Sequence, residues 1–492
     1  MGYISFLFAV LLVASLIIYY IIPKKYQWVV LLLSSILFYA SYELKYFAFL
    51  LFNILITFLS AIYIGKAADN HLKKRLLILY LITNFMIWYI VKCSGWTISM
   101  LNYAFSLFHM DIRITLPTII VPLGISYYTL QSIAYLVDVY KGKIKPEKNV
   151  FKLATYISYF PAIVQGPISR FDDLSKRLFH DAHKFDYSNF CFALQLILYG
   201  MMKKIVIADN LAVFVNNIFQ NYSSYGGFIL YIGAVFFSIQ LYMDFSGCVD
   251  ICRGVSSLFG VKLMQNFNKP YYAMSIKDFW SRWHISLSSW LKDYIYIPLG
   301  GNRKGRGRKY LNLVITFLIS GLWHGAGFAF LAWGLLHAVY QIFGEITVGI
   351  RKKAKRWLNI VENSASDKFY KVLITFHLVT FAWIPFRAPS LSSALQYIKN
   401  MVTNYNPWVL TDGSLFQFGI SFTLLVFLVI NIVSVFFIEY KQYRYEIQYR
   451  YCIAQLHICL RWGIYFLLIF DLLIFGAYGA GYSSSAFLYG GF

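Results

Sequence analysis

Long, nearly uninterrupted apolar runs decide what this chain can become. They lie at about 3–22, 27–42, 46–65, 76–92 and 115–138, return at about 191–218, 227–247 and 311–343, and close at about 370–387, 415–438 and 454–478. Most approach or exceed the ~20 residues that a helix needs to cross the hydrocarbon core of a bilayer. Hydrophobic residues make up 59% of the 492-residue chain and charged residues only 13%. Soluble domains run at about 45–50% and about 25%. One soluble core cannot bury that excess, which excludes a soluble multidomain enzyme and a disordered chain. At about 20 residues per span plus connections, the length accommodates roughly ten to thirteen membrane helices. The expected fold class is an all-α polytopic membrane protein with a single membrane domain. Residues 1–140 supply its N-terminal helices, 150–345 a core and 346–492 its C-terminal helices.

Lys and Arg number 44 against 21 Asp and Glu, a net charge of +23. The cations sit in short runs between apolar stretches: Lys24-Lys25, Lys73–Arg75, Lys141–Lys152, Arg303–Lys309 and Arg351–Arg356. That is the positive-inside pattern, and it places those loops in the cytoplasm. No basic domain stands apart from the apolar runs, so nucleic acid is not an expected partner. The first run has no early Lys or Arg and is followed by Lys24-Lys25. An uncleaved first span with its N-terminus outside is therefore expected rather than a signal peptide. The six cysteines lie in or beside apolar stretches, without zinc-ligand spacing, and read as small hydrophobes.

Two stretches break the pattern. The run from Phe151 to Gln165 ends in Gly166-Pro167. Backbone groups freed by that proline must be buried in protein or line a wet cavity. From Ser275 to Pro298, Phe279, Trp283, Leu287, Trp290 and Leu291 recur at helical spacing, with Lys277, Asp278, Arg282, Lys292 and Asp293 interleaved. One amphipathic helix is expected there, interfacial or re-entrant.

Ionisable groups inside spans are costly and point to function. His324, beside Trp323 and between Gly321 and Gly325, falls in the middle of the run 311–343. Imidazole suits proton transfer near neutral pH. His284, on the amphipathic segment, is the second candidate. Asp244 ends an apolar run and is placed to orient a histidine or to pair with Arg282. Gln165 and Arg170 flank the Gly-Pro break, a combination able to grip a polar substrate. Each of these also has a structural explanation as a helix-packing group or ion pair. His180 and His183 lie in a polar loop, and His377 and His457 sit alone in apolar runs. On an ideal helix His337 points about 140° away from His324. No Walker motif, H-E-x-x-H or G-x-S-x-G occurs, and no metal site is expected.

Three stretches together resemble a known family. They are Phe160-Pro161 through Gln165-Gly166-Pro167-Ile168-Ser169-Arg170; Asp278-Phe279-Trp280-Ser281-Arg282-Trp283-His284-Ile285-Ser286-Leu287 through Gly300-Gly301-Asn302-Arg303; and Leu322-Trp323-His324-Gly325-Ala326. Their order and spacing are similar to those of the membrane-bound O-acyltransferases. Within that family they look like the bacterial branch serving alginate O-acetylation, peptidoglycan O-acetylation and teichoic acid D-alanylation. The likeness extends to the aromatic, glycine-rich tail from Tyr478 to Phe492.

The resemblance implies a ring of helices around a thinned centre, with a funnel from the cytoplasm and a catalytic histidine at its base. By motif match that histidine is His324, and His284 is the second family histidine. The implied reaction is acetyl transfer from a cytoplasmic thioester, acetyl-coenzyme A or a charged acyl carrier protein, with no bound cofactor. The implied acceptor is an envelope polysaccharide outside the bacterial inner membrane, reached through a serine esterase-like partner. Gln165, Arg170, Asp244, Arg282 and Trp323 are then orienting or substrate-binding residues. The loop with Arg303, Lys304 and Arg306 is the candidate contact for donor phosphates, although positive-inside topology explains it equally well. Two alternatives stay open: D-alanyl transfer from a carrier protein, and an acyl or lipid-linked sugar transporter without bond chemistry.

Overall fold

The computed structural model describes residues 2–42, 44–115, 121–180, 183–413, 415–416, 419–446 and 449–478. The aromatic tail beyond Tyr478 lies outside the described residues. Regular structure among the described residues is entirely helical. The N-terminal part contributes α1 (Phe6–Ile21), α2 (Gln27–Ala40), α3 (Leu44–Lys66), α4 (Asn70–Lys92), α5 (Ser94–Leu107) and α6 (Ile125–Tyr140). Next come α7 (Val150–Ser158), α8 (Phe171–Phe179), α9 (Tyr187–Met201), α10 (Asp209–Gln220) and α11 (Gly227–Leu258). The short pair α12 (Ile276–Arg282) and α13 (Ile285–Leu291) precedes α14 (Gly305–His324), α15 (Phe328–Ile346) and α16 (Val348–Trp357). The chain closes with α17 (Ala365–Arg387), α18 (Leu391–Thr403), α19 (Phe422–Tyr445), α20 (Tyr449–Gln455) and α21 (Ile458–Phe475).

Eight helices among the described residues are long and apolar enough to cross a membrane. Other apolar runs fold as shorter helices, such as the 16-residue α1, and α14 opens on cations. The chain is an all-α polytopic membrane protein. Helix starts follow local chemistry. Asp69, Asn149 and Asp186 accept hydrogen bonds from first-turn amides of α4, α7 and α9. At α12 the Ser275 hydroxyl accepts from the Asp278 amide at 3.1 Å, and the Asp278 carboxylate accepts from the Met274 amide at 3.0 Å. Each side chain thus satisfies a backbone donor near the helix start.

The 32-residue α11 runs through the centre, buried along most of its length. Its later part packs on the N-terminal helices and its earlier part on α10, α17 and α18. Gly200 of α9 and Gly247 of α11 let the two backbones approach. A Cβ on Gly200 would come within 2.6 Å of the Gly247 carbonyl oxygen. Just beyond Gly200 the helix takes a π-helical course over Met202–Ala208.

Two expectations change shape. The stretch 311–343 is a hairpin, not one helix. α14 ends at His324, the chain turns through Gly325-Ala326-Gly327, and α15 packs back along α14. Gly327 takes φ 152°, a conformation that L side chains rarely adopt. Gly321 and Gly334 let the backbones meet, since a Cβ at either would collide with the carbonyl of Phe330 or of Phe317. Lys309 pairs with Glu345 at the open end of the hairpin. The expected amphipathic helix of 275–298 is likewise broken, into α12 and α13, at Trp283-His284.

Candidate active site

His324 is at the tip of the hairpin rather than in mid-span, and it is 2% exposed. Its ring lies 4.8 Å from Trp323, 5.0 Å from Trp333 and 5.3 Å from Phe386, centroid to centroid, all near edge-on. His284 is fully buried and adopts a left-handed backbone, φ 45° and ψ 53°. For a residue with a Cβ this conformation costs roughly 1–2 kcal/mol. Asn266 holds it in place. The Asn266 carbonyl accepts the Ile285 amide at 2.9 Å, and its side-chain Oδ1 accepts the Ser286 amide at 2.9 Å. That clamp turns the chain at His284 and is why the expected single helix breaks there.

Trp323 joins the two histidines. Its ring is 6.0 Å from His284 and 5.7 Å from Tyr127, and its indole N–H donates to the Ser126 carbonyl at 3.4 Å. Phe245 closes the far side of His284 at 4.8 Å. Lys92, from the end of α4, donates to the Ser126 hydroxyl at 3.1 Å. Ser126 thus joins Lys92 to Trp323, whose ring lies against both histidines. The result is a buried aromatic cluster around His324 and His284, with one ammonium group joined to it through Ser126. Little water competes there, so hydrogen bonds to a developing charge are strong.

The hairpin brings His337 back to this cluster, against the ideal-helix expectation. Its ring is 5.2 Å from Trp333, the same indole that touches His324. Its Nδ1 accepts the Trp280 indole N–H at 3.2 Å. This bond ties the hairpin to α12, the helix that leads into His284.

Gln165 is fully buried, and both of its amide atoms lack a hydrogen-bond partner among the described residues. Its segment reaches the second histidine, because the Ile168 amide donates to the Ser286 hydroxyl at 3.1 Å. The helix of that region ends at Ser158, before the Gly166-Pro167 break.

Other expected site residues are engaged elsewhere. Arg170 pairs with Asp293 at 3.2 Å and stacks on Tyr294 at 4.6 Å. Asp244 does not pair with Arg282: it takes Lys204 at 2.6 Å, while Arg282 takes Asp278 at 2.7 Å. Lys204 also pairs with Asp209 at 2.7 Å, and Lys203 pairs with Asp250 at 2.6 Å. The reason is proximity, since the close approach at Gly200 and Gly247 sets the two lysines against α11. Arg303, Lys304 and Arg306 precede or begin α14 and lie about 28 Å along its axis from His324, at 1.5 Å rise per residue.

Sequence reasoning passed over Lys203 and Lys204, although two lysines inside the run 191–218 were a visible signal. Lys92 looked like an ordinary span boundary, and Asn266 carried no signal at all. No cluster of three or more potential metal ligands forms among the described residues.

Residues 145–361, which include both histidines, match the family model for the membrane-bound O-acyltransferase family. The chain is 34% identical over 396 residues to a probable alginate O-acetylase of Pseudomonas aeruginosa, covering 80% of this chain and 73% of that protein. It is 35% identical over 401 residues to a peptidoglycan O-acetyltransferase of Helicobacter pylori, covering 76% and 73%. A teichoic acid D-alanyltransferase of Bacillus subtilis is 30% identical over 279 residues, 54% of this chain and 68% of the relative. The chain belongs to the membrane-bound O-acyltransferase family and is an O-acyltransferase.

Proposed function

We propose that this chain moves an acetyl group from a cytoplasmic thioester towards a polysaccharide outside the bacterial inner membrane, with His324 as the base. The donor is acetyl-coenzyme A or a charged acyl carrier protein. A separate extracytoplasmic serine esterase-like protein completes the transfer. The observation that carries this reading is the burial of His324 at a hairpin tip, with Trp323 packed against both it and His284. The names of the relatives, alginate O-acetylase and peptidoglycan O-acetyltransferase, support the acyl group and the class of acceptor.

In this mechanism the acceptor hydroxyl gives its proton to His324 as its oxygen attacks the thioester carbonyl. The tetrahedral oxyanion collapses, the carbon–sulfur bond breaks, and the thiolate takes the proton back from His324. Lys92 and His284 are placed to steady developing negative charge. A donor whose phosphates met Arg303, Lys304 or Arg306 would need an arm long enough to reach along α14.

Thiol release from acetyl-coenzyme A by the protein in lipid nanodiscs tests the proposal. Wild type should release thiol slowly, and His324→Ala should not. Release that survives in His324→Ala would remove His324 from the chemistry. Release only from a D-alanyl carrier protein would favour the second reading, suggested by the teichoic acid relative. Membership in an acyltransferase family displaces the transporter alternative.

A further inference from the structure

The short helix α16 takes no part in the site. It reads Val-Gly-Ile-Arg-Lys-Lys-Ala-Lys-Arg-Trp and follows a membrane-length helix, α15, with another, α17, soon after it. It therefore lies at the level where those helices leave the bilayer. Ile350, Ala354 and Trp357 fall at i, i+4 and i+7, on one helical face. Ile350 is 67% and Trp357 83% exposed, and Leu358 and Val361, just beyond, are also exposed. No described part of the chain covers that apolar stripe.

The rest of the helix is cationic. Arg351, Lys352, Lys353 and Arg356 have no carboxylate partner among the described residues. The helix is also fixed in place. Arg351 donates to the Gly344 carbonyl. At the other end Lys355 pairs at 2.5 Å with Asp367, near the start of α17. Pinned at both ends, α16 cannot turn its apolar stripe inward.

An exposed apolar stripe beside unpaired cations, at bilayer level, matches an interface with acyl chains on one side and anionic headgroups on the other. An acidic soluble protein would also satisfy the cations, but Ile350 and Trp357 stand at the level where α15 and α17 leave the bilayer, beside acyl chains. We infer that α16 is an in-plane helix that binds anionic lipid, with Ile350 and Trp357 among the acyl chains and Arg351, Lys352, Lys353 and Arg356 on the headgroup phosphates. This inference does not depend on the proposed reaction.

The test uses the full-length protein in mixed micelles with fluorescent phosphatidylglycerol or phosphatidylcholine, scoring lipid retained through purification. Wild type should retain phosphatidylglycerol over phosphatidylcholine and lose the preference as salt rises. Arg351→Gln, Lys352→Gln, Lys353→Gln and Arg356→Gln combined should lower retention by about tenfold or more. Ile350→Ser with Trp357→Ser keeps every charge, and hence the topology signal, and should weaken retention while keeping its salt dependence. Equal retention of the two lipids by wild type would overturn the inference, as would unchanged preference in the fourfold variant. Salt-sensitive capture of an acidic carrier protein, lost in the fourfold variant while lipid retention stays, would assign the surface to a protein instead.

Discussion

Replacing Lys204 with Met should cost the protein a large part of its stability. The lysine side chain is 3% exposed and that of Asp244 is 2% exposed, at 2.6 Å. Asp209, 2.7 Å away on the same ammonium, is 13% exposed and closer to water. Methionine fills similar volume, so little of the loss is a cavity. What remains is a buried Asp244 carboxylate that has lost its ammonium, and removing one partner of a buried pair costs about 3–5 kcal/mol. Unfolding entropy near 2.1 cal/mol/K per residue makes 1 kcal/mol worth about 1 °C for a chain of this size, so the melting temperature should fall by about 3–5 °C. Thermal unfolding of the purified protein in detergent, followed by tryptophan fluorescence, measures it. Adding Asp244→Asn removes the buried negative charge, and the double variant should recover at least half of the loss. Additive losses in the two single variants, or a shift below about 1 °C for Lys204→Met, would refute the reasoning. Activity should follow stability, because Phe245, next to Asp244, packs on His284.

Three more predictions concern the histidine cluster. Asn266→Ala removes the side-chain half of the clamp on His284; stability should fall by about 1 kcal/mol, while thiol release falls at least about tenfold as the ring loses its orientation. Gly321→Leu drives a side chain into the Phe330 carbonyl, so the hairpin should splay, with thiol release lost and the tip between α14 and α15 newly open to protease. His337→Phe keeps the ring but removes the acceptor of the Trp280 indole, costing about 1–3 kcal/mol for the buried donor left unpaired; His337→Gln should restore part of that, and paired melting curves would show it.

Much of the fold could be read from the sequence, because bilayer spans announce themselves by length and composition. Fold class, the Gly166-Pro167 irregularity and the family came from residues whose chemistry is local. What could not be read depends on contacts between distant segments. His324 sits at a turn because Gly321 and Gly334 allow α15 to return, and neither glycine says so alone. His284 breaks its helix because Asn266 reaches across from another segment. Asp244 finds Lys204 rather than Arg282 because two glycines, one on each helix, bring α9 and α11 together. Periodicity carries no information about partners of this kind.

The π-helical stretch of Met202–Ala208 has a consequence for length variation among related chains. A segment with i to i+5 bonding accommodates one residue more than the α-helix around it without rotating the helix beyond it. Deleting one residue there would let α9 run straight into α10, with the buried face of Leu211, Phe214, Val215 and Ile218 unmoved. The surplus residue thus lies in the segment that carries both buried cations, Lys203 and Lys204. A homologue that had shed a residue beyond the two lysines should therefore keep both of them, together with Asp244 and Asp250.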